Sequence, residues 1–386
     1  MTWDFDAVVA RRGSGSIKWE WYDPDVLPLW VADMDFRSPE VIIDALRDRV
    51  EHGFFGYDFA GPALREVLVA AMRRFYDWEV APEDFVFLPS LVTGINAVSR
   101  AMAHDGGSVI MQTPVYPPFL TAPANQGLRS ITVPLPARLA DGVVSYDIDF
   151  AAFEAAIEPD TNLFLLCHPH NPTGVAYRRE DLARYGEICL RHNIVICSDE
   201  IHCDLLLDDR RHTPLAAVSP EIAAQTITLM APSKTFNLPG LKSSFAIVQN
   251  PTLRARLVKA CEGIVPHVNL FGLAAMQVAY SQCDDWLLAL RAYLTANRDL
   301  LLTTLRRDLP MLASTVPDAT YLAWIDCRAA GIAGNPYQFF LREARVALND
   351  GATFGPGGEG FVRLNFGCPR STLLEALARM AAALAR

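Results

Sequence analysis

Lys234 stands in Ala231-Pro232-Ser233-Lys234-Thr235-Phe236-Asn237, directly after the apolar run Thr226–Met230. A lysine held near apolar surface at a strand end has a lowered pKa, which favours imine formation with an aldehyde. An ordinary loop lysine fits the same residues when they are taken alone. One apolar run earlier, Ser198-Asp199-Glu200-Ile201-His202 follows Ile194–Cys197. A carboxylate there can pair with a pyridinium nitrogen and keep it protonated, so that the ring accepts electrons from a carbanion. His202, three residues on, is placed to hydrogen-bond an oxygen on such a ring; a metal-binding or solvated acid pair is the competing reading. His168-Pro169-His170-Asn171-Pro172-Thr173-Gly174 follows Leu163–Cys167. Its two histidines invite zinc, but no third ligand is near and the prolines splay the side chains, so no metal is expected. Asn171, stiffened by Pro172, is the better candidate for the ring oxygen.

Two further segments complete the set. In Pro89-Ser90-Leu91-Val92-Thr93-Gly94-Ile95 the run Phe85–Leu88 turns into a helix, whose free amides at Val92 and Thr93 suit a phosphate. Ser233 and Lys242 can add a hydroxyl and a counter-charge to the same group. Tyr116, after the next run, can stack on a pyridine ring or serve as a half-buried core tyrosine. Arg363, in Gly360-Phe361-Val362-Arg363-Leu364-Asn365, interrupts an apolar strand and is costly there unless paired. A substrate α-carboxylate would satisfy it in bidentate fashion, and so would an internal Asp or Glu.

The elements that position these residues follow from periodicity. Seven apolar runs (Phe85–Leu88, Ser108–Met111, Ser130–Pro134, Leu163–Cys167, Ile194–Cys197, Thr226–Met230 and Phe245–Val248) alternate with helical stretches such as Gly94–Ala103 and Arg179–His192. Strands buried on both faces with helical crossovers predict an α/β domain with a mostly parallel seven-stranded sheet. In such sheets ligands bind at the carboxyl ends of the strands, where the segments above fall. After Cys283 a long helical stretch, Asp285–Leu309, precedes the alternating segments Tyr321–Ile325 and Phe361–Asn365 and a helix from Thr372, which predicts a smaller α+β domain. The expected division is 1–45 as an N-terminal segment packing with the small domain, 46–284 as the large domain and 285–386 as the small domain.

With 51% hydrophobic and 20% charged residues the chain can build sizeable cores. The net charge of −10, with no basic run, argues against a nucleic-acid partner. No apolar stretch approaches ~18 residues, so no membrane span is expected. The acidic start lacks a signal-sequence pattern, and the expectation is a cytoplasmic protein. Eight cysteines without any Cys-x-x-Cys pair read as buried, reduced thiols.

Together these motifs resemble the fold-type I pyridoxal-5′-phosphate (PLP) enzymes, with the aspartate-aminotransferase fold. The finer resemblance is to the cystathionine β-lyase (C–S lyase) branch of MalY/PatB type. Ser16-Ile17-Lys18-Trp19, Leu27–Phe36, Phe55-Gly56-Tyr57, His170–Gly174, Ser198–His202, Ser233–Leu241, Arg363–Asn365 and Cys368-Pro369-Arg370 carry it across nearly the whole chain. The resemblance implies Lys234 as the Schiff-base lysine and acid/base, Asp199 on the pyridinium, Asn171 on the ring oxygen and Tyr116 stacking. It implies that Tyr57 reaches the phosphate of a neighbouring subunit in a homodimer with shared active sites. Arg363 and the backbone near Ala32 would hold the substrate carboxylate, and Thr113–Pro114 and Asn171–Pro172 are candidate cis peptides. Ala231 and Ala319 depart from the family pattern, the first at a phosphate-binding position and the second near the expected substrate side. The implied activity is α,β-elimination on L-cystathionine or S-substituted cysteines. The alternatives are an aminotransferase on the same scaffold and a PLP-binding protein with a regulatory role.

Overall fold

The computed structural model describes residues 3–104 and 106–386. Each of the seven apolar runs forms a strand of one sheet: β1 (Phe85–Leu88), β2 (Ser108–Thr113), β3 (Arg129–Pro134), β4 (Thr161–Cys167), β5 (Val195–Asp199), β6 (Thr226–Met230) and β7 (Ser244–Ile247). Their spatial order is β1-β7-β6-β5-β4-β2-β3. From β6 to β3 every pair is parallel, whereas β7 is antiparallel to both β6 and β1. The carboxyl ends of six strands and the amino end of β7 therefore share one edge. Every residue of β2, β6 and β7 is buried, which is why these strands read as continuous apolar runs rather than alternating ones.

The helix Leu91–Met102 starts directly behind β1, with Ser90 as its N-cap. It lies close to the sheet because Gly94 has no side chain: a Cβ there would come within 3.1 Å of Leu229 and 3.3 Å of Leu88. The helix Arg179–Arg191 returns the chain from β4 towards β5.

A second sheet of six strands is centred on the antiparallel pair Leu322–Asp326 and Phe361–Asn365. Two of its strands, Ala137–Ala140 and Val143–Tyr146, form a hairpin from the first half of the chain, joined to the C-terminal strands through Val143 and Ser314. Ala137–Ala140 is exposed along its whole length, so no alternation marks it in the sequence. The helices Asp284–Asp308 and Arg370–Leu384 share a core with this sheet, and Phe5, Leu29, Met34 and Phe36 enter the same core. Leu27–Pro28 pairs in parallel with Val346–Ala347, tying the first forty residues to the C-terminal part.

Among the described residues no helix is long and apolar enough to cross a membrane. All eight cysteines are unpaired, seven of them buried and Cys261 partly so.

Candidate active site

The shared strand edge opens into a cavity whose wall includes Ala32, Val92, Tyr116, Asn171, Asp199, His202, Ser233, Lys234 and Lys242. Asp199 ends β5 and is buried, and its Oδ1 accepts the Ile201 N–H at 3.1 Å. Burial pushes its carboxyl up to about 7, against the pull of that N–H and of Lys234. A ligand cation beside it would stabilise the ionised form. The neighbouring Glu200 is engaged elsewhere: it accepts from Ser198 Oγ at 2.7 Å and the Leu215 N–H at 3.0 Å, and meets His212 Nε2 at 2.7 Å. The two acids thus do not form a joint metal site.

Lys234 sits in the one-turn helix Pro232–Thr235 after β6. Its Nζ donates to the Ala32 carbonyl, which also accepts the Tyr321 hydroxyl at 2.9 Å. Protein groups surround the amine although it opens onto the cavity. Burial, followed by the charge of Arg363, lowers its pKa to about 8, while Asp33 and Asp199 pull it upward. Because only the neutral amine is nucleophilic, labelling of Lys234 by an amine-reactive reagent in the cofactor-free protein should rise with pH through a midpoint near 8. A midpoint near 10.5, the value of an ordinary lysine, would contradict this environment.

Arg363 occupies the middle of a strand in which every residue is buried. Its Nη1 donates to Asn171 Oδ1 at 2.9 Å, and Nη2 to the Trp30 carbonyl at 3.2 Å and Asn349 Oδ1 at 2.6 Å. The guanidinium lies 5.0 Å from the centre of the Phe354 ring, and Nε has no partner. These oxygens are all neutral, so the internal Asp or Glu entertained from the sequence is not what holds this arginine. Burial lowers the guanidinium to about 10. A buried cation with a free Nε–H and only amide and carbonyl partners suits an incoming carboxylate. Since a guanidinium can only donate, Asn171 must turn its carbonyl oxygen to Arg363, which leaves its NH2 for the cavity.

At the β1 end, Ser90 Oγ accepts the Thr93 N–H at 3.2 Å and lies 3.0 Å from the Thr93 hydroxyl. Thr93 is thereby turned to Ser90 and is not part of the wall, while Leu91 and Val92 are. First-turn amides have no acceptor within their own helix, so those of Leu91 and Val92 remain for a ligand. Lys242 holds φ +52°, a left-handed conformation unusual for a residue with a side chain. His202 is buried with Nδ1 unpartnered, and burial, then Lys234 and Arg363, keep it neutral. Tyr116 precedes the helix Pro117–Asn125 and lines the wall; burial raises its phenol pKa.

Other expectations fare differently. Tyr57 is fully exposed and outside the wall of its own chain. Ala319 is fully buried against Ala176 and Leu206 and does not line the cavity. The bonds Thr113–Pro114 and Asn171–Pro172 are cis, and so is His168–Pro169, which the sequence did not suggest. His168 Nε2 lies 3.2 Å from the Thr213 carbonyl and His170 Nδ1 2.9 Å from Thr173 Oγ1. Among the described residues no group of three or more His, Cys, Asp or Glu side chains is placed to hold a metal. Sequence reasoning overlooked Ser243 in the wall, Tyr321 on the Ala32 carbonyl and Asn349 on Arg363. Asn349 and Tyr321 carried no local signal, because their partners lie far away along the chain.

The wall therefore offers a lysine amine with a lowered pKa, a buried carboxylate in need of a cation, an amide NH2, an aromatic ring, and hydroxyls with a lysine beside a helix start. An aldehyde-bearing pyridine with a ring oxygen and a phosphate matches these groups one for one, so the residues present fit PLP.

Residues 24–380 match the aminotransferase class I and II family. Cystathionine beta-lyase PatB of Bacillus subtilis is 39% identical over 99% of this chain and 100% of its own. Cystalysin from Treponema denticola, a structure containing PLP, superposes with a TM-score of 0.95 at 30% identity, over 100% of this chain and 99% of that one. The PLP-bound C–S lyase from Staphylococcus hominis gives 0.93 at 31% identity, over 100% and 99%. The chain belongs to the aminotransferase class I and II family and has its aspartate-aminotransferase-like fold. Within that family it falls in the MalY/PatB-type cystathionine β-lyase branch.

Proposed function

We propose that this chain is a PLP-dependent C–S lyase that converts L-cystathionine or S-substituted L-cysteines to a thiol, pyruvate and ammonia by α,β-elimination. The observation that carries the reading is the placement of Lys234 between two buried, unmatched charges, the Asp199 carboxylate and the Arg363 guanidinium, at one strand edge. Bound PLP supplies the electron sink for charge leaving Cα. Lys234 would anchor the cofactor through its amine and would take the substrate's Cα proton; a pKa near 8 leaves a useful fraction neutral. Asp199 holds the proton on the ring nitrogen. The Asn171 NH2 and His202 bond the ring oxygen, and Tyr116 covers the ring face. The first-turn amides of Leu91 and Val92, with Ser233 and Lys242, would bind the phosphate. Arg363 grips the substrate carboxylate beside the Ala32 backbone and so fixes which Cα bond faces the lysine. Loss of the Cα proton and departure of the sulfur on Cβ leave an enamine, which water converts to pyruvate and ammonia.

We further read the chain as one half of a cytoplasmic homodimer. The exposed run Phe54, Phe55, Tyr57 and Phe59 supports a second copy covering this face, with Tyr57 reaching the partner's phosphate site. Eight unpaired thiols suit a reducing compartment.

Replacing Arg363 by Ala should raise KM and lower kcat/KM by roughly 10²-fold or more, since charge-assisted bonds to a carboxylate are lost. Steady-state kinetics on cystathionine would show it, and an unchanged kcat/KM would remove Arg363 from the substrate site. The reading as a whole is tested by mixing the protein with L-cystathionine and following thiol and pyruvate with and without an added keto acid. Release independent of the keto acid supports the lyase. Amino transfer that requires the keto acid, without thiol release, would replace it by the aminotransferase alternative.

A further inference from the structure

We infer that Tyr321 is a positioning residue that allows Lys234 to leave its resting place, because its hydroxyl keeps the Ala32 carbonyl satisfied when the amine moves away. The inference rests on the reading of Lys234 as the reacting amine. Ala32 belongs to the segment Trp30–Met34, in which every carbonyl accepts from a side chain. Arg363 Nη2 donates to Trp30 at 3.2 Å, Asn365 Nδ2 to Val31 at 2.6 Å and to Asp33 at 2.7 Å, and Asn237 Nδ2 to Met34 at 2.9 Å. The Ala32 carbonyl alone in this segment depends on a group that must move. A carbonyl oxygen has two lone pairs, so the Lys234 amine and the Tyr321 hydroxyl, the latter at 2.9 Å, fit on it together. To reach an electrophile in the cavity, the amine gives up this bond. Once a ligand fills the cavity, a carbonyl left without a donor has no water to turn to, and that costs free energy. Tyr321 removes the cost.

The hydroxyl can do this because the ring that carries it is fixed. Tyr321 is fully buried at the start of the strand Leu322–Asp326, and its carbonyl accepts the Phe366 N–H at 2.8 Å. Its ring meets the His202 ring edge-on, 6.1 Å between centres. Gly367 lies so close behind that a Cβ there would come within 3.2 Å of Tyr321 Cγ. The same bond also acts on the resting amine. A phenol on the carbonyl oxygen takes up part of its accepting capacity, so the carbonyl stabilises the ammonium form less. That works in the same direction as burial and Arg363 and Lys242, and against Asp33 and Asp199. These four charged neighbours and the neutral His202 are untouched when Tyr321 becomes Phe, which removes one oxygen and keeps the ring.

The test compares the full chain with its Y321F variant in two ways. Amine-reactive labelling of Lys234 before cofactor is added should show a midpoint moved up from about 8, by roughly half to one pH unit. Titration with PLP, whose aldehyde condenses with the amine and releases water, should show roughly tenfold weaker binding in the variant. Pyridoxamine 5′-phosphate has no aldehyde and leaves Lys234 on the Ala32 carbonyl, so its affinity should match in the two proteins. An unmoved midpoint overturns the role of Tyr321, and an equal loss for the two ligands overturns it too, as general damage. A wild type that takes up neither ligand overturns the cofactor reading, while the labelling midpoint still decides for or against Tyr321.

Discussion

Lys234→Ala should remove the visible absorbance of the cofactor-loaded protein and lower elimination by roughly 10⁴-fold or more. The size follows from two roles in one side chain. The amine is the covalent anchor, and it is also the base at Cα. Its pKa of about 8, set mainly by burial, is suited to both. Lys242 lines the same cavity but leaves the strand edge on a different loop, so it is expected to bind phosphate without replacing the lost amine. Absorbance spectra and turnover of the variant check both halves, and a retained band would assign the imine elsewhere.

Asp199→Asn should leave the cofactor attached and lower kcat by about 10²–10³-fold, as for loss of a preorganised charge at the reacting centre. The substitution keeps the shape of the side chain, and its amide oxygen can still accept the Ile201 N–H that Asp199 accepts at 3.1 Å. What disappears is the negative charge that keeps a ring nitrogen protonated, and with it the capacity of the ring to take up charge from Cα. A kcat close to that of the parent, with the spectrum intact, would show that Asp199 does not serve this purpose.

Much of this arrangement was legible in the sequence because strands buried on both faces announce themselves. β1 and β6 have the bounds their apolar runs suggested, and Asp199 and Lys234 lie at the ends of adjacent strands as the alternation implied. The hairpin Ala137–Tyr146 was not legible: its first strand is wholly exposed, and its place in the second sheet depends on Ser314, far along the chain. The surroundings of Arg363 were equally hidden. A lone arginine in an apolar strand signals an unmet charge, but Asn171, Asn349 and the Trp30 carbonyl reach it from three remote segments.

The chain contains four lysines, Lys18, Lys234, Lys242 and Lys259, which makes the central assignment unusually open to a direct answer. Lys18 is buried on Asp35 at 2.8 Å, and Lys259 is exposed and paired with Glu262. Borohydride reduction of the PLP-loaded protein, followed by peptide mass mapping, turns any imine into a stable secondary amine on the lysine that formed it. The prediction is a pyridoxyl adduct on Lys234. An adduct on Lys242 instead, or no adduct on any of the four, would contradict the account.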